Sequence, residues 1–266
     1  MTSFERRQRV LDVMQKQPGI RVPEVARLLS VSEGTVRNDL RALAADGQLK
    51  RVRGGAVIEP HRSEAPAFAA RASVHAAAKQ NMARYAAELV QDGDSIVCDA
   101  SSTVYHLARY LRDRRNLTII TNGVELARNL ATNANHTVIL LGGELRSDGA
   151  AVSGPIAERA LEDLRVKTAF LSATGLSPDS GLYEVDIHEA QLKRKMITAA
   201  SSIVALIDAS KLGKVDLTLF ARLDQISQLY VDDSLLPDWQ AALHAAAAPL
   251  TICGADNTIS YPRESS

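Results

Sequence analysis

Two groups of residues in this chain of 266 have the types and spacings to do chemistry. The first is Ser32-Glu33-Gly34-Thr35-Val36-Arg37-Asn38-Asp39-Leu40-Arg41. Val36, Leu40 and Leu43 recur at i, i+4 and i+7, which predicts a helix with one apolar stripe on a small core. Ser32 is placed to cap its first N–H groups. The opposite face carries Thr35, Arg37, Asn38 and Arg41. Arg bonds guanine bidentately and Asn bonds adenine, so these side chains suit a DNA major groove. Asp39 would repel phosphate and is assigned a structural role, paired with a nearby Arg. An ordinary amphipathic helix with a solvated polar face has the same pattern, and its surroundings decide between the two.

The second group recurs after apolar runs. Asp99-Ala100-Ser101-Ser102-Thr103 follows the first run, Thr121-Asn122-Gly123 the second and Gly142-Gly143-Glu144-Leu145-Arg146 the third. Ser172-Ala173-Thr174-Gly175, followed by Gly181-Leu182, comes after the fourth, and Asp208-Ala209-Ser210-Lys211 after the fifth. Hydroxyls and free N–H groups at a helix start can seat an anion, although capping by Ser102 or Thr103 accounts for the same residues. Glycine lets a ligand approach the backbone, and Arg146 could pair with a phosphate or carboxylate. Loops of α/β proteins often hold such residues singly; five at corresponding positions indicate a ligand cleft.

The elements that position these groups follow from periodicity. Phe4 to Gln17 reads as a first helix ended by Pro18-Gly19, and Val22 to Leu29 as a second. Ser30-Val31-Ser32 is a tight turn into the third helix, which Asp46-Gly47 stops, giving helix-turn-helix geometry. Two β-prone runs then flank Gly54-Gly55, a hairpin carrying Lys50, Arg51 and Arg53. This is a wing whose cations can neutralise phosphate. Residues 59–73, with Pro60 and Pro66, read as an exposed linker, on which Phe68 is expected to dock against one domain. A long helix is predicted from about Val74 to Val90. Beyond it, apolar runs at 95–98, 117–120, 137–141, 168–171, 203–207 and 226–231 alternate with amphipathic stretches at 104–111, 124–130, 156–164 and 187–199. That alternation predicts a doubly wound, largely parallel sheet. Ligands bind beyond the carboxyl ends of such strands. Ala241–Ala248 reads as a final helix and 256–266 as a tail. The expected division is a DNA-binding domain at 1–58, a linker at 59–73 and a sensing domain at 74–255.

Composition narrows the class. Residues 1–58 hold 11 Lys/Arg against 6 Asp/Glu, a net of +5, and residues 59–266 hold 20 against 25, a net of −5. A basic head on an acidic body suggests that the head alone meets a polyanion. No apolar run reaches the roughly 18 residues of a membrane span, so no membrane partner is expected. The charged start of the chain lacks a signal core, which makes the cytoplasm the expected location. Cys98 and Cys253, like His106, His136, His188 and His244, show no metal-ligand spacing, and neither metal nor cofactor is expected. Tyr230 and Trp239 are read as packing residues.

Arg6, Val10 and Met14, followed by Ser32-x-x-Thr35-Val36-Arg37-Asn38-Asp39-Leu40, resemble the N-terminal signature of the DeoR family of bacterial regulators. The likeness continues through Pro66 to Arg71 with Lys79, through Asp-x-Ser-Ser-Thr, Thr-Asn-Gly, Gly-Gly-x-x-Arg and Asp-x-Ser-Lys, and through Glu189-x-x-x-Lys193, thinning after about residue 235. It implies a winged helix-turn-helix joined to a sensor related in fold to ribose-5-phosphate isomerase. The implied function is a repressor of a carbohydrate-metabolism operon, controlled by a phosphorylated sugar, with double-stranded operator DNA as partner. By position, Asp99, Ser101, Ser102 and Thr103 would hold the phosphate, and Glu189, Lys193, Asp208 and Lys211 would lie near the sugar hydroxyls. Thr121, Asn122, Gly142, Gly143, Arg146 and Gly175 complete the expected effector site. The expected DNA contacts are Thr35, Arg37, Asn38 and Arg41 on bases, with Arg6, Lys50, Arg51 and Arg53 on phosphates. An exposed i, i+4 salt bridge is the competing reading of Glu189 and Lys193. One head offers few contacts, so a homodimer or homotetramer on repeated half-sites is expected. The alternative is a sugar-phosphate isomerase with an accessory head. Its chemistry needs a carboxylate near Ala173-Thr174-Gly175, where none stands, and Thr cannot act as a general base at neutral pH.

Overall fold

The computed structural model describes residues 6, 7, 9, 10, 13, 14, 20–45, 50–52, 55–57 and 68–261, with backbone alone at 44, 45, 50–52 and 55–57. The chain forms two compact units, Met1–Glu64 and Ala65–Ser266.

In the first unit, residues 6, 7, 9, 10, 13 and 14 are helical. Helix α1 (Val22–Leu29) has a proline in its first turn, where a missing N–H costs nothing. It ends at Ser30, whose left-handed φ of 53° reverses the chain. Ser32 Oγ accepts from Thr35 N–H at 3.1 Å and so caps α2 (Glu33–Ala45). Val10, Met14, Val25, Ala26, Val36, Leu40 and Leu43 close one small core. Leu28 points outward and is exposed. Strands β1 (Lys50–Val52) and β2 (Gly55–Val57) pair antiparallel, with Val52 opposite Gly55. Gly55, expected in the turn, is thus the first residue of the second strand, and Gly54 lies outside the described residues. The side chains of Lys50 and Arg51, and all of Arg53, lie outside the described residues.

The second unit begins where a long helix from Val74 was expected. Two helices stand there, α3 (Phe68–Ser73) and α4 (Ala76–Ala87). His75, at φ 53°, breaks the path between them. Most of the linker's last stretch is thus ordered structure in the body. Next come β3 (Ser95–Cys98), a 3₁₀ turn at Val104–His106 running into α5 (Leu107–Tyr110), β4 (Thr118–Thr121), α6 (Val124–Leu130) and β5 (Thr137–Leu140). A hairpin of β6 (Glu144–Leu145) and β7 (Val152–Ser153) precedes α7 (Pro155–Ala160) and β8 (Val166–Leu171). After these follow β9 (Gly175–Ser177), β10 (Gly181–Glu184), α8 (Ile187–Ala199), β11 (Ala200–Ile207), β12 (Thr218–Ala221), β13 (Gln228–Asp232), α9 (Pro237–Ala245), β14 (Leu250–Cys253) and β15 (Thr258–Tyr261).

The main sheet runs β15-β14-β13-β11-β8-β3-β4-β5, parallel except for β15 against β14. It is the expected doubly wound sheet. The central strands β8 and β11 are near-continuous apolar runs because both faces are covered. One face packs on α4, α5 and α6 through Met82, Leu107 and Leu126, and the other on α7 and α8 through Leu161, Ala190 and Met196. Strand β15, expected as tail, pairs with β14 through Thr258 to Tyr261. A second sheet, β12-β10-β9, lies outside the expected pattern. Its strands are too short to show an alternation. Strand order reverses between β3 and β8, so the first and fourth loops of the expected site face each other there.

Candidate functional site

In the head, Arg37, Asn38 and Arg41 are exposed on one face of α2 and Thr35 is half-buried. The Arg37 guanidinium reaches Glu33 at 2.8 Å across one helical turn. Asp39 projects to the opposite side, buried, and accepts from Arg6 Nε at 2.5 Å and Arg6 Nη2 at 3.0 Å. Arg7 lies 3.6 Å from the same carboxylate. Arg6, expected on DNA phosphate, is thus engaged inside the head, where its fork ties the first helix to α2.

In the body, the Asp99 carboxylate is 1% exposed and fully engaged. It accepts from Ser101 N–H at 3.0 Å, from Ser172 N–H at 2.8 Å, and pairs with Lys193 Nζ at 3.3 Å. Asp99 therefore stitches the β3 loop to the β8 loop. Ser101 Oγ caps the following 3₁₀ turn by accepting from Val104 N–H at 3.0 Å, and Thr103 is buried. Capping here belongs to Ser101. Ser102 Oγ stays half-exposed and receives Lys79 Nζ at 3.2 Å.

Lys193 is the cation of a buried cluster. It donates to Glu184 at 2.5 Å and to the Ser172 carbonyl at 2.9 Å. Burial opposes its charge, but Glu184, Asp99 and Glu189 together raise its pKa. The competing reading of an exposed i, i+4 ion pair with Glu189 gives way to these buried partners. Glu184, absent from the sequence-based site, stands one hairpin away from Thr174, whose N–H donates to Tyr183 carbonyl at 3.0 Å. Glu184 is buried and ion-paired with Lys193.

Glu189 bonds instead to Arg146. Burial raises the Glu189 pKa, against the pull of Lys193 and Arg146. Arg146 also grips Asp148 at 2.8 and 2.7 Å, and Arg71 reaches Asp148 at 3.1 Å. A ladder Arg71–Asp148–Arg146–Glu189 results. Burial works against the Asp148 charge, but Arg146, the Ala150 N–H and Arg71 outweigh it and hold the carboxyl down at about 2.

Lys79 is 4% exposed. Burial lowers its pKa, Asp208 partly offsets this, and Lys211 and Arg71 lower it further. Lys79, 3.2 Å from Ser102 Oγ, is thus within electrostatic reach of two further cations. Nearby, burial and then Lys79 lower the His106 pKa, against a bond to the Ala72 carbonyl.

The remaining expected residues divide. Thr121 is buried, and its Oγ1 accepts from Gly123 N–H. Asn122 donates to the Val152 carbonyl at 2.9 Å, while its buried Oδ1 has no protein partner. Asp208 is buried and accepts from Ser210. Gly142 is open to solvent. Gly143 and Gly175 serve packing: a Cβ would meet the Ser153 carbonyl at 2.5 Å in one case and the Lys214 carbonyl at 2.3 Å in the other. Arg71, Lys79, Asp148 and Glu184 were missed. Arg71 falls in the expected linker and Lys79 in the helix expected from about Val74, and the resemblance through Pro66 to Arg71 with Lys79 is the signal that could have found both. Among the described residues no His, Cys, Asp and Glu cluster could hold a metal, and no helix is long and apolar enough to cross a membrane.

Residues 6–61 match a DeoR-like helix-turn-helix domain and residues 74–233 a DeoR C terminal sensor domain. The HTH-type transcriptional regulator GolR of Listeria innocua is 32% identical, over 95% of this chain and 99% of its own. The HTH-type transcriptional repressor GlcR of Bacillus subtilis is 32% identical, over 87% of this chain and 89% of its own. Among solved structures, ribose 5 phosphate isomerase A from Neisseria gonorrhoeae is 10% identical, with a TM-score of 0.43 over 70% of this chain and 96% of that one.

Proposed function

The chain belongs to the DeoR family of transcriptional regulators, and on that premise we propose that it represses a carbohydrate-metabolism operon and is released from its operator by a phosphorylated sugar. The observation that carries the ligand class is Lys79: a buried ammonium, pushed towards its neutral form by burial and by Lys211 and Arg71, next to the Ser102 hydroxyl. A dianion placed there relieves the repulsion between the cations and favours the charged form of Lys79. Lys79, Lys211, Ser102 and Arg71 are thus assigned to the phosphate. The Asn122 Oδ1, buried without a protein partner, is assigned to a sugar hydroxyl. Arg146 and Glu189 flank the hydroxyls and are held ready by each other.

On α2, Thr35, Arg37, Asn38 and Arg41 are assigned to base edges, with Lys50, Arg51 and Arg53 on phosphates. A single head makes too few contacts for specific binding at physiological salt, so the working form is a homodimer or homotetramer on repeated half-sites. It acts in the cytoplasm, where the DNA is. The isomerase reading is not adopted, because the curated relatives are DNA-binding transcriptional regulators.

The test is binding of the full-length protein to DNA from upstream of its own gene, titrated with salt and repeated with a panel of phosphorylated sugars. The expected result is specific binding that one sugar phosphate weakens while its unphosphorylated parent does not. Specific binding indifferent to every sugar phosphate would remove the ligand assignment. Tightening of binding by a sugar phosphate would reverse the direction of control.

A further inference from the structure

Helix α3 is six residues long and buries none of them fully, so neither propensity nor core packing holds it in place. It is held by contacts to the anion site. The Arg71 carbonyl accepts from Lys79 Nζ at 2.6 Å, and the Ala72 carbonyl faces His106 Nε2 at 3.2 Å. Phe68 meets Tyr105 edge to face at 5.2 Å, and the Arg71 guanidinium lies over the Phe68 ring. Arg71 also reaches Asp148 at 3.1 Å. Immediately after α3, Val74 is exposed and His75 sits at φ 53°, a conformation that costs a non-glycine residue. Along the chain, α3 is the first described element after the head.

Asp148 stands between two arginines. It accepts from both Arg71 and Arg146 and from the Ala150 N–H at 3.0 Å. Arg71 also bears on Lys79 electrostatically, so an anion seated on Lys79 competes with Asp148 for the same guanidinium. We propose that Asp148 is a clasp that holds α3 in the effector-free arrangement through Arg71, and that the ligand's phosphate opens it by drawing Arg71 away. The inference rests on the phosphate reading above. Two states follow, one clasped and favoured by operator DNA, the other unclasped and favoured by the ligand. A change that weakens the clasp without removing a phosphate contact, such as loss of the Asp148 charge, must shift the two affinities in opposite directions.

The experiment uses the full-length protein, with inorganic phosphate as the probe. Asp148→Asn removes the clasp's charge, and Arg71→Gln removes its other half. Without ligand, each is expected to speed amide exchange over residues 68–75 severalfold, to weaken operator binding roughly fivefold or more, and in combination to do no more than the stronger single change. In the wild type, phosphate should produce the same faster exchange, and in Asp148→Asn it should add nothing while binding more tightly. Unchanged exchange in both variants overturns the clasp. So does additivity of the two changes, or phosphate that binds in calorimetry without loosening 68–75. Phosphate that fails to bind at all, in protein whose clasp variants behave as expected, overturns the phosphate reading instead.

Discussion

On α2 of the head, Arg37, Asn38 and Arg41 stand in solvent, and Arg37 pairs with an equally open Glu33. At the switch point of the body's sheet, Lys193, Glu184 and Asp99 are buried against one another, and Arg146 is held by Asp148 and Glu189. The head offers exposed donors that shed water, and in Arg37's case one surface ion pair, to meet a polymer's edge. The body offers donors that already have partners, so a ligand has to exchange ion pairs to bind. A site of the first kind reads; a site of the second kind couples binding to rearrangement, because old pairs must give way as new ones form.

The sharpest way to break this contrast is Lys193→Met. It leaves the Asp99 and Glu184 carboxylates buried together without a cation, and removal of one partner of a buried pair costs about 3–5 kcal/mol. The urea midpoint of the body should fall while that of the head stays. A loss below about 1 kcal/mol would mean that the cluster behaves like an exposed surface pair. In the head, Asn38→Ala should leave stability untouched and cost about 1–3 kcal/mol of discrimination at one base pair, read by competition between operator variants. Smaller again, Lys50→Ala should weaken all DNA alike and reduce the salt slope by about 1. Arg6→Ala should weaken all DNA with the slope unchanged, because its guanidinium serves Asp39; a lower slope would return Arg6 to the phosphates. The smallest effect concerns pH. The Asp148 carboxyl is held at about 2 against an ordinary 3.8, so its stabilising contribution is full above about 4 and fades as pH falls towards 2. In acid unfolding of the full-length protein, the gap between wild type and Asp148→Asn should close over that window.

What the sequence made legible divides along the same line. The helix-turn-helix and the parallel sheet follow from local periodicity, and the capping by Ser32 and the Asp39–Arg partnership follow from residue type at fixed spacing. The loop residues were correctly gathered at the strand ends. Their roles were not legible, because each depends on a partner far along the chain: Asp99 on Ser172 and Lys193, Arg146 on Glu189, Arg71 on Asp148. Glu184 escaped notice because it completes the site across a hairpin of strands with three and four residues. Gly143 and Gly175 looked like ligand contacts because a glycine that admits a ligand and one that admits a neighbouring carbonyl are the same letter.

The most direct measurement of the coupling is reciprocity. Operator affinity is measured with and without saturating sugar phosphate, and sugar-phosphate affinity with and without saturating operator, both on the full-length protein. The account predicts that the two ratios are equal and lie within the roughly 5- to 150-fold range of ordinary allosteric coupling. A ratio of one in both directions would show that the head reads DNA without regard to the body, and would contradict the account.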